Sequence, residues 1–170
     1  MTFTCEELNQ ATNLDGVDYK FIPFHYTHLK MMEFRESEHS LMNSFVDYEE
    51  KIKTCPMEGL SFSGVSFGDI ACCFGILPLW EGVYEAWMLP CNDLTKNKFK
   101  FHRASLKFFE YVAKRLNIHR LQINVSSQNC LAYKWAKKCY FIQEGLLREY
   151  GPDKSDFYIM SRLFKKKEKE

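Results

Sequence analysis

Two sets of side chains in this sequence have the types and spacing to do chemistry. One is basic: Lys98, Lys100 and Arg103 fall in the first turns of a predicted helix, Lys98 to Leu116. Cations are unfavourable at a helix N-terminus, so such a turn either faces solvent or meets an anion. The other set lies on a strand-like run, Val83 to Leu89, where Glu85 and Trp87 share one face and Tyr84, Ala86 and Met88 the other. A strand carboxylate such as Glu85 is either a general base or an exposed polar residue without chemistry. His25, His28 and His39 invite a metal reading, yet no fourth ligand stands at a familiar spacing, and no metal is expected. The seven cysteines are odd in number and contain no C-x-x-C pair, so free buried thiols are expected. Cys72 and Cys73 are adjacent and would point to opposite faces of a strand.

The elements that must carry these residues follow from periodicity. Leu121, Ile123 and Val125 alternate with Gln122 and Asn124 as in a half-buried strand, which Ser126 and Ser127 end. Asn129 then opens a helix to Lys138, with Leu131 and Trp135 one turn apart and Lys137 and Lys138 at its negative end. Strands are expected over 141–150 and 157–164, joined by Gly151-Pro152-Asp153. Upstream, 19–24 reads as a short strand, Thr27 as the cap of a helix carrying Leu29, Met32 and Phe34, and 36–53 as a second helix ended by Pro56. Leu60 to Phe67 and Ile70 to Leu79 read as a hairpin turning at Gly68-Asp69, and Gly82 leads into the strand of Glu85. The long helix at 98–116 buries Leu106, Phe109, Val112, Ala113 and Leu116. Residues 1–17 read as a loosely ordered lead-in, 18–164 as one domain, and 165–170 as a charged tail.

Asn129-x-x-Ala132, Phe141, Glu144-Gly145, Arg148 and Asp156, with a strand on each side of the helix, resemble the C-terminal half of the GNAT acetyltransferase superfamily. The nearest likeness in these words is to the ribosomal-protein N-terminal acetyltransferases. The resemblance covers about residues 18–164. It implies an α/β fold with a bent, mixed, mostly antiparallel sheet, helices on both faces and a V-shaped opening between two central strands. It also implies acetyl-CoA as co-substrate and an amine as acceptor: a protein N-terminus, a lysine or a small molecule.

Placed in that frame, Glu85 is the candidate base, because an amine must lose a proton before attacking a thioester. A bulge near Met88 and Leu89 is expected to present backbone amides to the acetyl carbonyl. Asn129 and Ala132 are expected beside the pantetheine arm, although an Asn in that position is also an ordinary helix cap. The family's general acid, a Tyr seven residues after the Asn, is Ala136 here; Tyr133, one turn after Asn129, is the substitute candidate. Active members have Gln/Arg-x-x-Gly-x-Gly/Ala before the long helix, and this chain has Asn97-Lys98-Phe99-Lys100-Phe101-His102 with no glycine. Lys98, Lys100 and Arg103 would then hold the pyrophosphate, or the site is dead. That junction motivates an alternative: a non-catalytic GNAT-like binding or structural module, weakly similar to internal virion or assembly proteins of short-tailed phages.

Composition limits the rest. With 23 basic and 22 acidic residues the net charge is +1, which gives no support to nucleic-acid binding. The 46% hydrophobic content, with 15 Phe and 9 Tyr, is enough for one core. No run of about 18 apolar residues or signal-peptide pattern is present, so a soluble cytoplasmic protein is expected, or a virion location for the alternative. A homodimer is compatible with the sequence.

Overall fold

The computed structural model describes residues 3–14, 16–34, 60–92, 94 and 98–165, and the helix expected over 36–53 lies outside them. The described residues form seven strands: β1 Tyr19–Pro23, β2 Leu60–Ser66, β3 Asp69–Trp80, β4 Val83–Pro90, β5 Arg120–Ser126, β6 Ile142–Leu147 and β7 Phe157–Leu163. They form one sheet in the order β1-β2-β3-β4-β5-β7-β6. Neighbours are antiparallel except β4 and β5, which run parallel because α2, Lys98–Arg115, crosses between them. Two other helices flank the sheet, α1 Cys5–Thr12 and α3 Cys130–Lys138, with a short 3-10 helix at Tyr26–Met31. The mixed, mostly antiparallel α/β arrangement expected from the resemblance is the one observed.

Alternation explains both faces. On β5, Leu121, Ile123 and Val125 are buried under α2 and α3, while Gln122 and Asn124 point to the other side. Consecutive residues of α2 bind the two halves of the sheet. Phe108 packs against Phe62 and Phe74 at centroid distances of 6.1 and 5.0 Å, and Phe109 against Phe141 at 5.3 Å. Burying aromatic rings of this size contributes on the order of 2 kcal/mol each. The opposite face carries a smaller cluster of Phe24, Met32, Phe34, Val65, Ile70 and Cys73 beneath the 3-10 helix.

Three local expectations change. The lead-in is not loose: Thr4 Oγ1 accepts the Glu7 N–H at 3.1 Å and the Glu7 carboxylate accepts the Thr4 N–H at 2.8 Å, a capping box that starts α1. Leu8 is fully buried, and the Asn9 amide accepts from Phe21 N at 2.6 Å and donates to Phe21 O at 3.0 Å, covering the edge of β1. The helix expected from Thr27 is a six-residue 3-10 turn capped by His25. Its His28 Nδ1 lies 2.8 Å from the buried Ser63 hydroxyl, which fastens the turn to β2. The β2–β3 hairpin turns at Phe67-Gly68, both with positive φ (52° and 92°), and Asp69 already pairs with Ser66.

The described cysteines are free thiols, buried at Cys72, Cys73, Cys91 and Cys139 as expected, but half-buried at Cys5 and exposed at Cys130. Burial pushes the Cys73 thiol up to about 11 and Cys139 up to about 12, so both stay protonated and act as small apolar groups. No described helix is long and apolar enough to cross a membrane.

The Glu144-Gly145 word has a structural cause. The β6–β7 register slips by one between Gln143 and Gly145, and the bulge aims Glu144 back across the sheet. Its carboxylate accepts both Arg120 guanidinium nitrogens, at 2.9 and 2.5 Å, and the Ser161 hydroxyl at 2.6 Å. The Arg120 bonds, then Ser161, hold the carboxyl well down, at about 2 against an ordinary 4.5. A depressed acid stabilises the fold fully above its ordinary range and loses that contribution as pH falls through it. Because the pair is partly solvent-exposed, the contribution is about 1 kcal/mol. Glu144→Gln should therefore lower the urea midpoint at pH 7, and the gap from wild type should close as pH falls from 4.5 to about 2. Equal gaps at pH 7 and pH 2.5 would show that the ion pair does not stabilise the fold.

Candidate active site between the diverging strands

Strands β4 and β5 pair only at Val83↔Arg120, Tyr84↔Leu121 and Glu85↔Gln122. Both continue, β4 to Pro90 and β5 to Ser126, so the sheet opens beyond Glu85. This is the V-shaped opening that the resemblance implies. Buried backbone groups rarely go unpaired, so an opening of this kind is a place where something else must bond to them.

Which groups face the opening follows from ladder alternation. The Cys91 N–H donates to Ala71 O at 2.9 Å, and the β3–β4 register is unshifted from Cys72↔Pro90 to Pro78↔Tyr84. Odd residues of β4 therefore direct their backbone groups into β3, and Ala86 and Met88 direct theirs toward β5. The Arg120 N–H bonding to Gly82 O at 3.1 Å fits the same parity. By this parity the Met88 amide faces the opening. Leu89 does not, because its amide belongs to the β3 ladder, and the irregularity between β3 and β4 lies at Pro78/Trp80 rather than at Met88 and Leu89.

Side chains on the face away from α2 gather at the point of divergence. Glu85 Oε2 accepts from Gln122 Nε2 at 3.1 Å and from Asn124 Nδ2 at 3.3 Å. Among the described residues nothing bonds to its Oε1. Asn124 Nδ2 also lies 3.4 Å from the Tyr150 hydroxyl. Tyr150 reaches this point from the turn after β6, where the Glu149 N–H donates to Asp156 Oδ1 at 2.8 Å and the Gly151 N–H to Ser155 O at 2.9 Å. Its ring meets Phe157 edge-on at 5.3 Å. Burial first, then the charge of Glu85, push the Tyr150 phenol up, so it remains a neutral hydroxyl at physiological pH. Sequence reasoning missed Gln122, Asn124 and Tyr150. The polar half of the β5 alternation was the available signal for the first two; Tyr150 had none.

The remaining candidates divide. Asn129 Oδ1 accepts the Ala132 N–H at 3.0 Å, so this pair caps α3. Tyr133 packs against Tyr158 on the α2 side of the sheet, opposite Glu85, and its hydroxyl donates to Gln143 Oε1 at 3.0 Å. Lys98 and Lys100 are not aimed at one point. Lys98 Nζ lies 5.3 Å from the Phe99 ring centroid, and Lys100 Nζ sits 3.5 Å over Tyr19 of β1. Lys100 lines a groove of about 500 Å³ with Tyr19, Phe21, Cys72, Cys91 and Ala104, at the end of the sheet formed by β1–β3, and none of Glu85, Asn124 or Tyr150 lines it. The site is therefore placed by the Glu85 network rather than by this groove. Arg103 is exposed and uncommitted among the described residues.

These features define the fold of the GNAT acetyltransferases. Solved structures similar to the chain include a GNAT-family acetyltransferase from Bacillus anthracis, 16% identical, with 86% of this chain and 95% of that one aligned and a TM-score of 0.65. Ribosomal L7/L12 alpha-N-protein acetyltransferase (RimL) in complex with coenzyme A aligns over 86% and 94% of the two chains at 10% identity and a TM-score of 0.64. A spermidine N-acetyltransferase chimera of Vibrio cholerae SpeG and hSSAT aligns over 86% and 95% at 14% identity and a TM-score of 0.63. No protein-family model matches the sequence, and no curated protein does. Identities this low show the fold alone.

The separate settings of Lys100 and Arg103 predict separate effects. Lys100→Ala should lower thermal stability by about 1 kcal/mol, the scale of a cation–π contact at a partly buried ring. Arg103→Ala should leave the melting temperature within error. Thermal melts of both variants without ligand check this, and equal losses would contradict the assignment.

Proposed function

We propose that this protein transfers an acetyl group from acetyl-CoA to a primary amine, in one ternary complex at the opening between β4 and β5. The observation that carries the reading is Glu85: a carboxylate at the divergence point, held through one oxygen by two amides and presenting the other. That is the arrangement a general base needs, fixed in orientation with one acceptor oxygen uncommitted. RimL and SpeG, whose fold it shares, are named as acetyltransferases of a ribosomal protein and of spermidine, which supports an amine acceptor.

The steps follow from the chain's own groups. Glu85 Oε1 takes a proton from the acceptor ammonium, and the freed nitrogen attacks the thioester carbonyl. Negative charge developing on that oxygen is met by the Met88 N–H, a backbone donor already directed into the opening. The C–S bond then breaks, the departing thiolate takes a proton from Tyr133 or from water, and the surplus proton on the newly acylated nitrogen passes back through water to that donor, leaving a neutral amide and a thiol. The Asn129 cap leaves the positive end of α3 beside the opening for the phosphate arm, with Arg103 as the cation available from α2. Lys98 has the same role in this reading, and Lys100 serves the β1 contact instead. The co-substrate and the free thiols fit a cytoplasmic setting.

Two measurements test the proposal. Acetyl-CoA at about a hundred times its dissociation constant should add about 2.7 kcal/mol to stability if it binds the native state alone. A thermal-shift titration flat to millimolar acetyl-CoA would overturn the reading in favour of a non-catalytic module. Glu85→Gln should retain that shift and lose a factor of about a hundred to ten thousand in turnover. Part of the loss should return at high pH, where more of the acceptor amine is neutral without a base. Wild-type turnover by this variant across the pH range would remove Glu85 from the mechanism.

A further inference from the structure

The polar network at the divergence point contains an atom that the network does not use. Among the described residues, Asn124 Oδ1 is buried and has no hydrogen-bond partner. The amide orientation is not arbitrary: Glu85 Oε2 is a pure acceptor, so the Asn124 nitrogen must face it, and the oxygen is left over. An unpaired buried carbonyl oxygen is costly and awaits a donor. None of its described neighbours donates to it. Gln122 Nε2 is committed to Glu85, and the Tyr150 hydroxyl lies on the nitrogen side of the amide.

We infer that Asn124 is a specificity-determining residue that binds the acceptor amine, Oδ1 accepting one N–H while Glu85 Oε1 accepts another. The inference rests on the acetyltransferase reading above and narrows it. Two acceptor oxygens from neighbouring strands suit a primary ammonium, which has three N–H donors, and not an alcohol or thiol, which has one. The ammonium gives one proton to Glu85 and keeps a second hydrogen on Asn124, so its lone pair is freed while its position is held. An acceptor hydroxyl would satisfy either Glu85 or Asn124 and leave the other oxygen without a donor, a rejection that polar sites make strongly. Asn124 also holds Glu85 through its nitrogen, so one side chain orients both base and substrate.

The test uses two variants of the full-length chain, acetyl-CoA, and spermidine plus an Ala-initiated peptide as probe acceptors, with thiol release as readout. Asn124→Leu keeps the volume and removes both amide functions. It should raise KM for the amine by about tenfold or more, the scale of one buried hydrogen bond, with the acetyl-CoA thermal shift unchanged. Asn124→Asp restores the acceptor oxygen but sets a second carboxylate against Glu85. Among the described residues, the groups facing Glu85 are Gln122, Asn124, Tyr150 and the cross-strand Leu77, and Tyr150 alone of these titrates. The acidic limb of kcat/KM should therefore move to higher pH by about a unit or more. A purely structural Asn124 would leave the amine KM of Asn124→Leu unaltered, and that result overturns the inference; the pH profile of Asn124→Asp checks separately that this side chain faces Glu85. Absence of any amine turnover by wild type that does bind acetyl-CoA also overturns it while leaving the cofactor reading intact. A flat acetyl-CoA titration removes both.

Discussion

The rest of the structure depends on a ladder that ends early. After three residue pairs, β4 and β5 separate, although each still has a full complement of backbone donors and acceptors. A sheet tolerates such a gap only if its outer edges are bound elsewhere. Here β4 is held by β3 along its length and β5 by β7 to Ser126↔Phe157. The opening therefore has rigid walls. Its chemistry comes from the alternation of those walls: backbone groups of Ala86 and Met88 face inward, with Glu85, Gln122 and Asn124 gathered at the closed end.

The polar cluster at that end is economical in its connections. Asn124 reaches Glu85 and Tyr150 with a single nitrogen, and the turn at 149–156 exists in the shape needed to bring Tyr150 there. Glu149 adopts a positive φ of 49°, a strained conformation for a residue with a side chain, and the Asp156 carboxylate compensates by accepting its N–H. On the far edge the Glu144 bulge ties β6 and β7 to the start of β5, so the wall carrying Gln122 and Asn124 is braced from behind.

Much of this is legible in the sequence, for physical reasons that also mark where legibility stops. Strands announce themselves by local alternation, and Leu121-Gln122-Ile123-Asn124-Val125 gives both the strand and its polar face. Glu85 is visible for the same reason. Its partners are not, because the parallel register of β4 against β5 is set through α2 and by no adjacent turn. The early helix carries its own sign, Thr4-x-x-Glu7, which the nearby Asn13, Asp15 and Gly16 obscure. Lys100 is a long flexible side chain whose direction is decided by a ring far away in the chain, so its departure toward Tyr19 has no local trace. The loss of the Leu89 amide to the β3 ladder is likewise a question of strand parity, fixed by Cys91 and Ala71.

One feature of α2 bears on how such a chain assembles. Strands β1–β4 pair with one another antiparallel, and β5, β7 and β6 do the same, so each half of the sheet is hydrogen-bonded within itself. Between them run three parallel pairs and one helix. Because Phe108 belongs to the first half and Phe109 to the second, α2 cannot bury its stripe on either half alone. The entropic cost of joining the halves is met at adjacent residues of a single helix, so a cavity opened at either 108 or 109 loosens one half of the sheet from the other.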